Sequence, residues 1–471
     1  MKTAKRAEAV IEPLTQDLAP LDNCEKSASS RADVRHQLEM LPLSDLTPAK
    51  RNARTHSKSQ IRQLATSMSQ FGFITPIVVD IDGRIVAGHG RAAAAQLLKL
   101  KRVPCIRVTN LSDSELRAYA LADNRIAESA RWDKELLALE IGELQVALPE
   151  LGLDIELTGF NPGEIDTLLA DLSDNPPSSS DEIPGLQSVV TARSGDLFVL
   201  GHHRLTVGDA RNNKTYEDLM GSEVATMAFL DPPHNVKVQG HVGGRGRTKH
   251  REFTFASGEM TRDRFVQFLK DSLMLSAARL MDGSIAYVCM DWRHAGELLE
   301  AGTAAGYELK NICVWTKTNP GQGAFYRNQH EFIFAFKKGD ASHINTFELG
   351  QHGRSRSNVW AYAGVNSFRA GRMDELKMHP TVKPVALVAD AMRDCSRRGS
   401  IILDSFCGSG STIIAAEQTG RRTFGIEIDP QYVDVAIRRW QALTGKDAIL
   451  ESTGQTFEEV SQARADEGIE R

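Results

Sequence analysis

The stretch FLDPPHNV at positions 229–236 ends a hydrophobic run in an acidic residue, two prolines and an imidazole ring. Asp231 and the backbone carbonyl of Pro232 can accept hydrogen bonds from the two protons of an exocyclic amino group on a nucleobase. Two such bonds draw the nitrogen toward tetrahedral geometry and aim its lone pair at an electrophilic methyl group. Pro232 and Pro233 stiffen the turn because proline fixes φ. The ring of His234 can stack on the base, a contact worth about 1–3 kcal/mol on single strands.

A strongly basic segment, KVQGHVGGRGRTKHR at 237–251, follows this motif and contains no acidic side chain. Chemistry on an amino group requires the base to leave the duplex stack, at a cost of roughly a few kcal/mol. A basic, glycine-containing loop beside a flipped base would hold phosphates and close over the site. The alternative is a solvated surface loop. The side chains expected to bind DNA are Lys237, Arg245, Arg247, Lys249 and Arg251.

A glycine-rich turn lies far downstream, in SIILDSFCGSGSTIIAAE at 400–417, between a predicted buried strand and a predicted helix. Gly408 and Gly410 let the backbone approach a ligand closely, although a plain tight turn is the alternative. Asp404 can accept hydrogen bonds from an ammonium group, and Glu427 follows the next strand, where an acid commonly binds a ribose diol. No Walker-type Gly-Lys-Ser/Thr is present, which disfavours a phosphate cradle. A cationic ligand such as S-adenosylmethionine (SAM) suits an acid-lined pocket better than a dinucleotide.

In their order, these motifs resemble the permuted subgroup of the amino DNA methyltransferases, whose catalytic motif precedes the SAM motif. DPPHN resembles the Asp-Pro-Pro-Tyr motif, and LDSFCGSGS resembles the Asp-Pro-Phe-x-Gly-Ser-Gly loop. HPTVKP at 379–384 and GIEIDPQYVDVAIRRW at 425–440 resemble two further segments, and the likeness covers about 190–445. His234 replaces the usual tyrosine, and Ser405 replaces the proline after Asp404.

The resemblance implies SAM as the cofactor and methyl transfer to the exocyclic amino group of a flipped base. The residues implied to be catalytic are Asp231, Pro232, Pro233 and His234. The residues implied to bind the cofactor are Asp404, Phe406, Gly408, Ser409, Gly410, Glu427, Thr381 and Lys383.

Adenine N6 is the expected target, because in this family an Asp-first motif is linked more often to adenine and a Ser-first motif to cytosine. Cytosine N4, an RNA amino group and a catalytically silent DNA-binding or regulatory protein are the alternatives. A cytosine-C5 mechanism is disfavoured, since the only Pro-Cys pair, Pro104-Cys105, ends a predicted strand. No restriction nuclease accompanies the motifs, so we expect an orphan or mobile-element methylase acting on double-stranded DNA.

By analogy with the family, the stretch 339–378 is the target-recognition region. Arginine is suited to reading guanine edges and holding phosphates. The region supplies Arg354, Arg356, Arg369 and Arg372, interleaved with Trp360, Tyr362 and Phe368. We expect Arg354 and Arg356 to bind DNA.

The N-terminal part resembles the ParB/sulfiredoxin-like domain through a Pro-Ile-Val-Val strand, a hairpin at Asp82-Gly83 and the motif GHGRAAAAQLL. In that family the last motif contacts nucleotide phosphates, those of CTP in partition proteins. Here it comprises Gly88, His89, Gly90 and Arg91, whose amides and guanidinium suit a phosphate. His89-Gly90 departs from the family's pattern, so CTP, DNA and a partner protein stay open. A nuclease role is disfavoured, because no cluster of metal-binding carboxylates accompanies the motif.

The elements that position these residues alternate between strands and helices from about 189 to 445, which indicates an α/β sheet covered on both faces. The predicted fold class is a Rossmann-like SAM-dependent methyltransferase fold with a smaller α+β ParB-like domain. The predicted divisions are a flexible tail (1–36), a ParB/sulfiredoxin-like domain (37–172), a linker (173–188), a methyltransferase domain (189–451) and a charged tail (452–471).

Composition fits this organisation: the 471 residues are 41% hydrophobic and 25% charged, with a net charge of −5. Six scattered cysteines form no Cys-x-x-Cys pair, which predicts reduced, buried thiols and no metal site. The sequence has no apolar run of the roughly 20 residues that span a bilayer and no apolar signal core near its N-terminus. We therefore expect a cytoplasmic protein without a membrane partner, and a homodimer stays open.

Overall fold

The computed structural model describes residues 36–172, 184–185, 190–236, 258–318, 326–347, 356–363 and 382–469. The chain folds into two compact units. The first extends to Asp133 and includes Leu153–Gly159, and the second comprises Lys134–Gly152 and the chain from Phe160 onward.

The first unit is built on a four-stranded sheet with the order β1-β4-β2-β3. β2 pairs parallel with β4, whereas β1 with β4 and β2 with β3 are antiparallel. The strands are β1 (Leu38–Pro42), β2 (Ile77–Val79), β3 (Ile85–Ala87) and β4 (Arg102–Arg107). The helices are α1 (Lys58–Phe71), α2 (His89–Leu97) and α3 (Asp113–Ser129). This mixture matches the predicted α+β class.

Local sequence explains where these elements end. Ser57 begins α1 by accepting a hydrogen bond from the backbone N–H of Gln60, and Gly72 ends it with φ of 83°. Gly83, with φ of 80°, occupies the turn between β2 and β3, at the predicted Asp82-Gly83 hairpin.

The second unit contains a ten-stranded sheet with the order β11-β9-β10-β8-β7-β12-β13-β6-β5-β14. Its strands are β5 (Leu197–Leu200), β6 (His203–Val207), β7 (Ala225–Leu230), β8 (Leu280–Met290), β9 (Tyr307–Thr316), β10 (His330–Lys338), β11 (Val359–Ala361), β12 (Ile401–Asp404), β13 (Arg422–Glu427) and β14 (Ile449–Leu450). Its helices are α4 (Lys134–Glu150), α5 (Pro162–Leu172), α6 (Asn213–Met220), α7 (Arg262–Ala278), α8 (Ala295–Ala304), α9 (Val385–Cys395), α10 (Ser411–Thr419), α11 (Pro430–Thr444) and α12 (Phe457–Ile469).

The centre of this sheet, β8-β7-β12-β13-β6, is parallel throughout. Side chains alternate between two hydrophobic cores, so that Ile402 lies in one core and Leu403 in the other. Such two-sided burial is typical of parallel strands covered by helices on both faces. The predicted Rossmann-like α/β fold is confirmed.

β7 and β12 are distant in sequence but adjacent in the sheet, with Met227 opposite Ile402 and Ala228 opposite Leu403. Parallel neighbours bring their carboxyl ends to the same edge. The segments after β7, β12 and β13 therefore meet there, although the catalytic motif precedes the glycine-rich loop in the chain.

Two regions differ from the sequence-based division. Helices α4 and α5, grouped with the N-terminal domain from sequence, belong to the second unit. Asp166 of α5 receives a buried bidentate pair of hydrogen bonds, 2.7 and 2.8 Å long, from Arg421. In place of a tail after 452, α12 packs the buried ring of Phe457 edge-on against Phe198, with 5.8 Å between centroids. Of the predicted linker, only 184–185 lie within the described residues.

Among the residues that the structure describes, none of the helices combines the length and apolar character needed to cross a bilayer.

Candidate active site

The DPPHN motif begins directly after β7. Asn235 adopts φ of 51°, and its side-chain oxygen accepts hydrogen bonds from the backbone N–H groups of Gly258 and Met260. Its amide nitrogen donates to the carbonyl of Met260 at 3.0 Å. Asn235 therefore ties the end of the motif to the segment that leads into α7. The basic residues predicted to bind DNA between these points, 237–251, lie outside the described residues.

Asp231 is the first member of a chain of alternating charges. The ammonium group of Lys383 donates to Asp231 Oδ2 at 2.7 Å and lies 2.8 Å from Glu331 Oε1. Lys317 donates to Glu331 Oε2 at 3.1 Å. The side chains of Lys383 and Glu331 are only 4% and 11% exposed, so this ion pair lies largely out of water, whereas Asp231 and Lys317 are 25% and 32% exposed.

The pKa values in this chain follow from the pairing. Burial opposes ionisation of Glu331, but Lys383 and Lys317 outweigh it and hold its pKa well below the ordinary value. Burial likewise opposes the charge on Lys383, but Asp231 and Glu331 raise its pKa well above the usual range. Both groups are therefore charged throughout the physiological range.

Ligand atoms of Asp231, Cys289 and Glu331 lie within 4.8 Å of one another, a grouping that resembles a metal site. Lys383 contacts both carboxylates of the group. Burial also raises the pKa of Cys289 well above its ordinary value, which disfavours the thiolate that a metal prefers. An ammonium group thus supplies the positive charge in this cluster.

His234 lies beside the same carboxylate. Its Nε2 is 3.6 Å from Asp231 Oδ1, too far for a hydrogen bond, and is buried with no hydrogen-bond partner among the described residues. Oδ2 of Asp231 is bonded to Lys383, so Oδ1 is the oxygen that faces the ring.

The glycine-rich loop connects β12 to α10. Asp404 ends the strand, where one carboxylate oxygen accepts from the backbone N–H of Phe406 at 3.0 Å and the other from Thr412 Oγ1 at 2.5 Å. Burial raises its pKa to about 7. Gly410 begins the helix with φ of 80°, and a Cβ there would come 2.8 Å from the Cβ of Ala436. The loop requires glycine at this position for packing as well as for conformation.

Glu427 ends the adjacent strand β13 and closes the other side of the loop. It accepts hydrogen bonds from the backbone N–H groups of Gly408 at 2.7 Å and Asp429 at 2.9 Å. Burial raises its pKa to about 7, and Asp404 and Glu427 are close enough that Glu427 contributes to the raised pKa of Asp404. A Cβ on Gly408 would meet no protein atom within 4 Å. The loop therefore presents two acids beside open space, which fits a cationic ligand.

The remaining predicted cofactor residues take different positions. Phe406 packs edge-on against Phe268 with 6.2 Å between ring centroids, and Ser409 is buried, with its carbonyl accepting from Arg439 at 3.2 Å. Lys383 donates a hydrogen bond to Asp231, and its role in binding the cofactor stays a prediction. Thr381 lies outside the described residues.

Ser405, which stands where the resembling family has proline, joins a buried group of hydroxyls. Its Oγ lies 3.0 Å from the hydroxyl of Tyr216 and 2.9 Å from Ser276 Oγ. Tyr216 also donates to the carbonyl of Ala210 at 3.0 Å, and burial raises its pKa to about 12. The substitution is thus matched by partners on α6 and α7.

Arg356, predicted to bind DNA, is engaged within the protein. It donates to Asp394 Oδ2 and to the hydroxyl of Tyr362, each at 3.0 Å, and lies 5.0 Å from the ring centre of Trp360. Its DNA contact stays a prediction, and Arg354 lies outside the described residues.

In the first unit, Gly88 begins α2 in the left-handed region with φ of 100°. His89 Nε2 accepts from the backbone N–H of Ala49 at 3.3 Å, and burial, followed by the nearby His56, lowers the pKa of His89. Arg91 donates to the carbonyl of Thr75 at 3.3 Å. A Cβ on Gly90 would come 3.0 Å from the ring of His56. The four motif residues are therefore brought together at one helix start.

Sequence reasoning did not single out Glu331 and Lys317. Glu331 is the one acid in the strand HEFIFAFKK, and its place directly before the apolar run FIFAF is the signal that could have identified it. Lys317 directly follows ICVWT at the end of β9 and carries no comparable signal.

Comparison with known proteins agrees with this division of motifs. The DNA methylase (N6/N4) family model matches residues 225–438, the ParB N-terminal domain matches 27–125, and the ParB-methyltransferase HTH domain matches 135–193.

Three individual proteins illustrate the likeness. The ParB-like nuclease domain-containing protein YnaK of Escherichia coli K12 is 47% identical over 74 residues, which are 16% of this chain and 85% of that protein. The type II methyltransferase M2.DpnII of Streptococcus pneumoniae is 25% identical over 240 residues, 47% of this chain and 85% of that protein. The crystal structure of the M1.HpyAVI–SAM complex has a TM-score of 0.37 at 18% identity, and covers 50% of this chain and 97% of that one.

Family models and relatives thus assign the same two regions that the motifs single out. The chain belongs to the N6/N4 family of DNA methylases and carries a ParB N-terminal domain ahead of the methylase region.

Proposed function

We propose that this DNA methyltransferase uses SAM to methylate the exocyclic amino group of a flipped base, with adenine N6 as the target. The observation that carries the proposal is the adjacency of β7 and β12, which puts the acceptor Asp231 beside the acid-lined glycine loop. Asp231 is one of the groups that raise the pKa of Asp404, so the two acids lie within electrostatic reach of each other.

The residues at the loop fit a sulfonium cofactor. Asp404 and Glu427 are held by backbone N–H and hydroxyl donors, and they keep lone pairs for an ammonium group and a ribose diol. SAM, when bound, would supply an electrophilic methyl group whose departure leaves the electron pair on sulfur.

Asp231 and Pro232 would orient the substrate. Oδ2 of Asp231 is bonded to Lys383, so Oδ1 is the oxygen available to accept one amino proton, and the Pro232 carbonyl accepts the other. The nitrogen lone pair then forms the new N–C bond, and the proton that the nitrogen releases passes to Asp231 or to water. No covalent bond between enzyme and base is required.

Adenine is preferred over cytosine N4 because the motif begins with aspartate. Both bases present an amino group of the same chemistry, so a cytosine product would leave the mechanism unchanged. A catalytically silent DNA-binding protein is the second candidate, and His234 in place of tyrosine is the observation that favours it.

Duplex DNA is the proposed substrate. Its support is the methylase family itself together with the matches to the ParB-methyltransferase HTH domain and the ParB N-terminal domain. A nucleotide such as CTP at Gly88–Arg91 is a subsidiary proposal, supported by the left-handed helix start and the adjacent guanidinium.

The test is to incubate the protein with unmodified genomic DNA and isotopically labelled SAM, digest to nucleosides and identify the labelled base by mass spectrometry. Labelled N6-methyladenine is expected. Labelled N4-methylcytosine would show that the target base is cytosine and would leave the proposed mechanism unchanged. SAM binding without label in DNA would overturn the proposal, and parallel incubation with RNA would show whether the substrate is RNA.

A further inference from the structure

In the chain Asp231–Lys383–Glu331–Lys317, Asp231 orients the substrate in the proposed reaction, whereas Glu331 and Lys317 have no role in the chemistry described so far. Its contacts of 2.7, 2.8 and 3.1 Å join groups from four different places: the turn after β7, the segment before α9, strand β10 and the end of β9. Such convergence beside the reacting position distinguishes it from the ion pairs on the protein surface.

We propose that Lys383 and Glu331 are positioning residues for Asp231, which keep its carboxylate charged and turned so that Oδ1 faces the target amino group. This inference rests on the proposed amino-group methylation. Neither residue would touch the base.

Lys383 is needed because a carboxylate that is partly removed from water, as Asp231 is at 25% exposure, takes up a proton more readily without a cation beside it. A protonated Asp231 would lose acceptor capacity toward the amino group. The 2.7 Å contact to Oδ2 supplies the charge and also fixes the rotation of the carboxylate.

Glu331 is needed because Lys383 alone would bind Asp231 too strongly. A carboxylate paired solely with one buried ammonium group gives up basicity to that pair. Sharing the ammonium with Glu331, which Lys317 neutralises in turn, balances the charges and leaves Asp231 able to accept a second hydrogen bond. Other titratable groups close to this chain are His234 (from the motif itself), Cys289 on β8 and Asp404 on β12.

The alternative is that the chain only stabilises the fold. Buried ion pairs often contribute little net stability, but removing one partner destabilises by leaving the other unpaired. The pH dependence of methyl transfer distinguishes the two roles. If the residues position Asp231, the pH dependence changes with the number of carboxylates left without a cation. If they only stabilise the fold, it does not change.

The experiment compares Lys383→Met, Glu331→Gln and the double variant in the full-length protein. Single-turnover methylation of DNA at saturating SAM is followed from pH 5.5 to 9. Lys310→Met is the matched control, because Lys310 forms an exposed ion pair with Glu308 on the same sheet. Melting temperature and SAM affinity are measured for every variant.

In Lys383→Met, two carboxylates face each other without the cation between them, so the pair retains a proton to higher pH. We expect the acidic limb of the rate profile to move up by about 1–3 pH units. The rate at pH 5.5 should fall by up to about 30-fold and recover as the pH rises. In the double variant one carboxylate remains, so the limb should return toward its original position.

A limb that stays in place in Lys383→Met, or a double variant as impaired as the single one, would overturn the inference. A large loss of SAM affinity with an unchanged limb would assign Lys383 to the cofactor instead. If the unmodified protein itself transfers no methyl group, the proposed function fails, and that result is distinct from failure of the positioning role.

Discussion

Two clusters of acids lie at the carboxyl edge of the central sheet, and they differ in the groups that contact them. Asp231 and Glu331 are bonded to the ammonium groups of Lys383 and Lys317. Asp404 and Glu427 are held by backbone N–H groups and, for Asp404, the hydroxyl of Thr412.

This difference appears in the titration of the two clusters. The paired Glu331 has a pKa well below its ordinary value, whereas burial raises the pKa of both Asp404 and Glu427 to about 7. A site in which lysines balance the acids suits a neutral amino group. A site whose buried acids have no cation beside them in the part of the chain that the structure describes gains from a cationic ligand. The distinction supports the proposed division into a substrate side at Asp231 and a cofactor side at Asp404 and Glu427.

Replacing Asp231 with Ala should have the largest effect on the substrate side. We expect loss of methylation by at least about 1000-fold, because the carboxylate both orients the amino group and accepts its hydrogen bond. SAM affinity should change little, since the cofactor acids are untouched. Mass spectrometry of DNA nucleosides and calorimetric titration with SAM measure the two effects, and transfer by this variant at an undiminished rate would refute the assignment.

Replacing Asp404 with Asn should produce the opposite pattern. A charge-assisted hydrogen bond of about 1.5–3 kcal/mol is lost, so the Kd for SAM should rise by about 10- to 100-fold. The melting temperature without SAM should hold or rise, because a buried acid is removed. Equal losses of SAM affinity in Asp404→Asn and Asp231→Ala would remove the distinction between the clusters.

SAM binding should depend on pH. Below pH 7 Asp404 and Glu427 are largely protonated and uncharged, because their pKa values are about 7. A cation favours the ionised forms, so affinity should increase by about tenfold from pH 6 to pH 8 for each of the two acids that must ionise, and level off above that. Calorimetry in buffers of different ionisation enthalpy should show proton release at pH 6.5. A flat affinity across this range would show that neither acid titrates against the ligand.

The smallest effect is expected from a substitution of Ser405, at the buried hydroxyls next to the glycine-rich loop. Ser405→Ala removes one hydroxyl from the cluster of three that Ser405 forms with Tyr216 and Ser276. The substitution should lower the free energy of unfolding by about 0.5–1.5 kcal/mol. Tyr216 keeps its hydrogen bond to Ala210, which limits the loss. Urea unfolding measures the change, and Tyr216→Phe is the matched comparison. A loss of several kcal/mol would show that Ser405 also determines the loop conformation.

Local signals predicted much of this arrangement. The two motifs, their strand–loop–helix contexts and the helix boundary at Gly72 follow from residue types at short spacing. Glu331 and Lys317 were missed because their position beside Asp231 depends on β10 lying between β9 and β8, which only the sheet order shows. Helix α12 was missed because Phe457 is buried against Phe198, a residue far away in the chain.

The sequence by itself determined the chemistry available. It supplies Asp231 and a rigid proline turn after one strand, and a glycine-rich loop after a second strand with Asp404 and Glu427 on either side of it in sequence. The tertiary structure alone decided that β7 lies beside β12, so that motifs in reversed order share one edge. It also decided, among the residues that the structure describes, that Asp231 and Glu331 are paired with lysines while Asp404 and Glu427 are held by backbone and hydroxyl donors. Charge balance inside a protein depends on neighbours in space, and Lys383 reaches Asp231 across 152 positions of sequence.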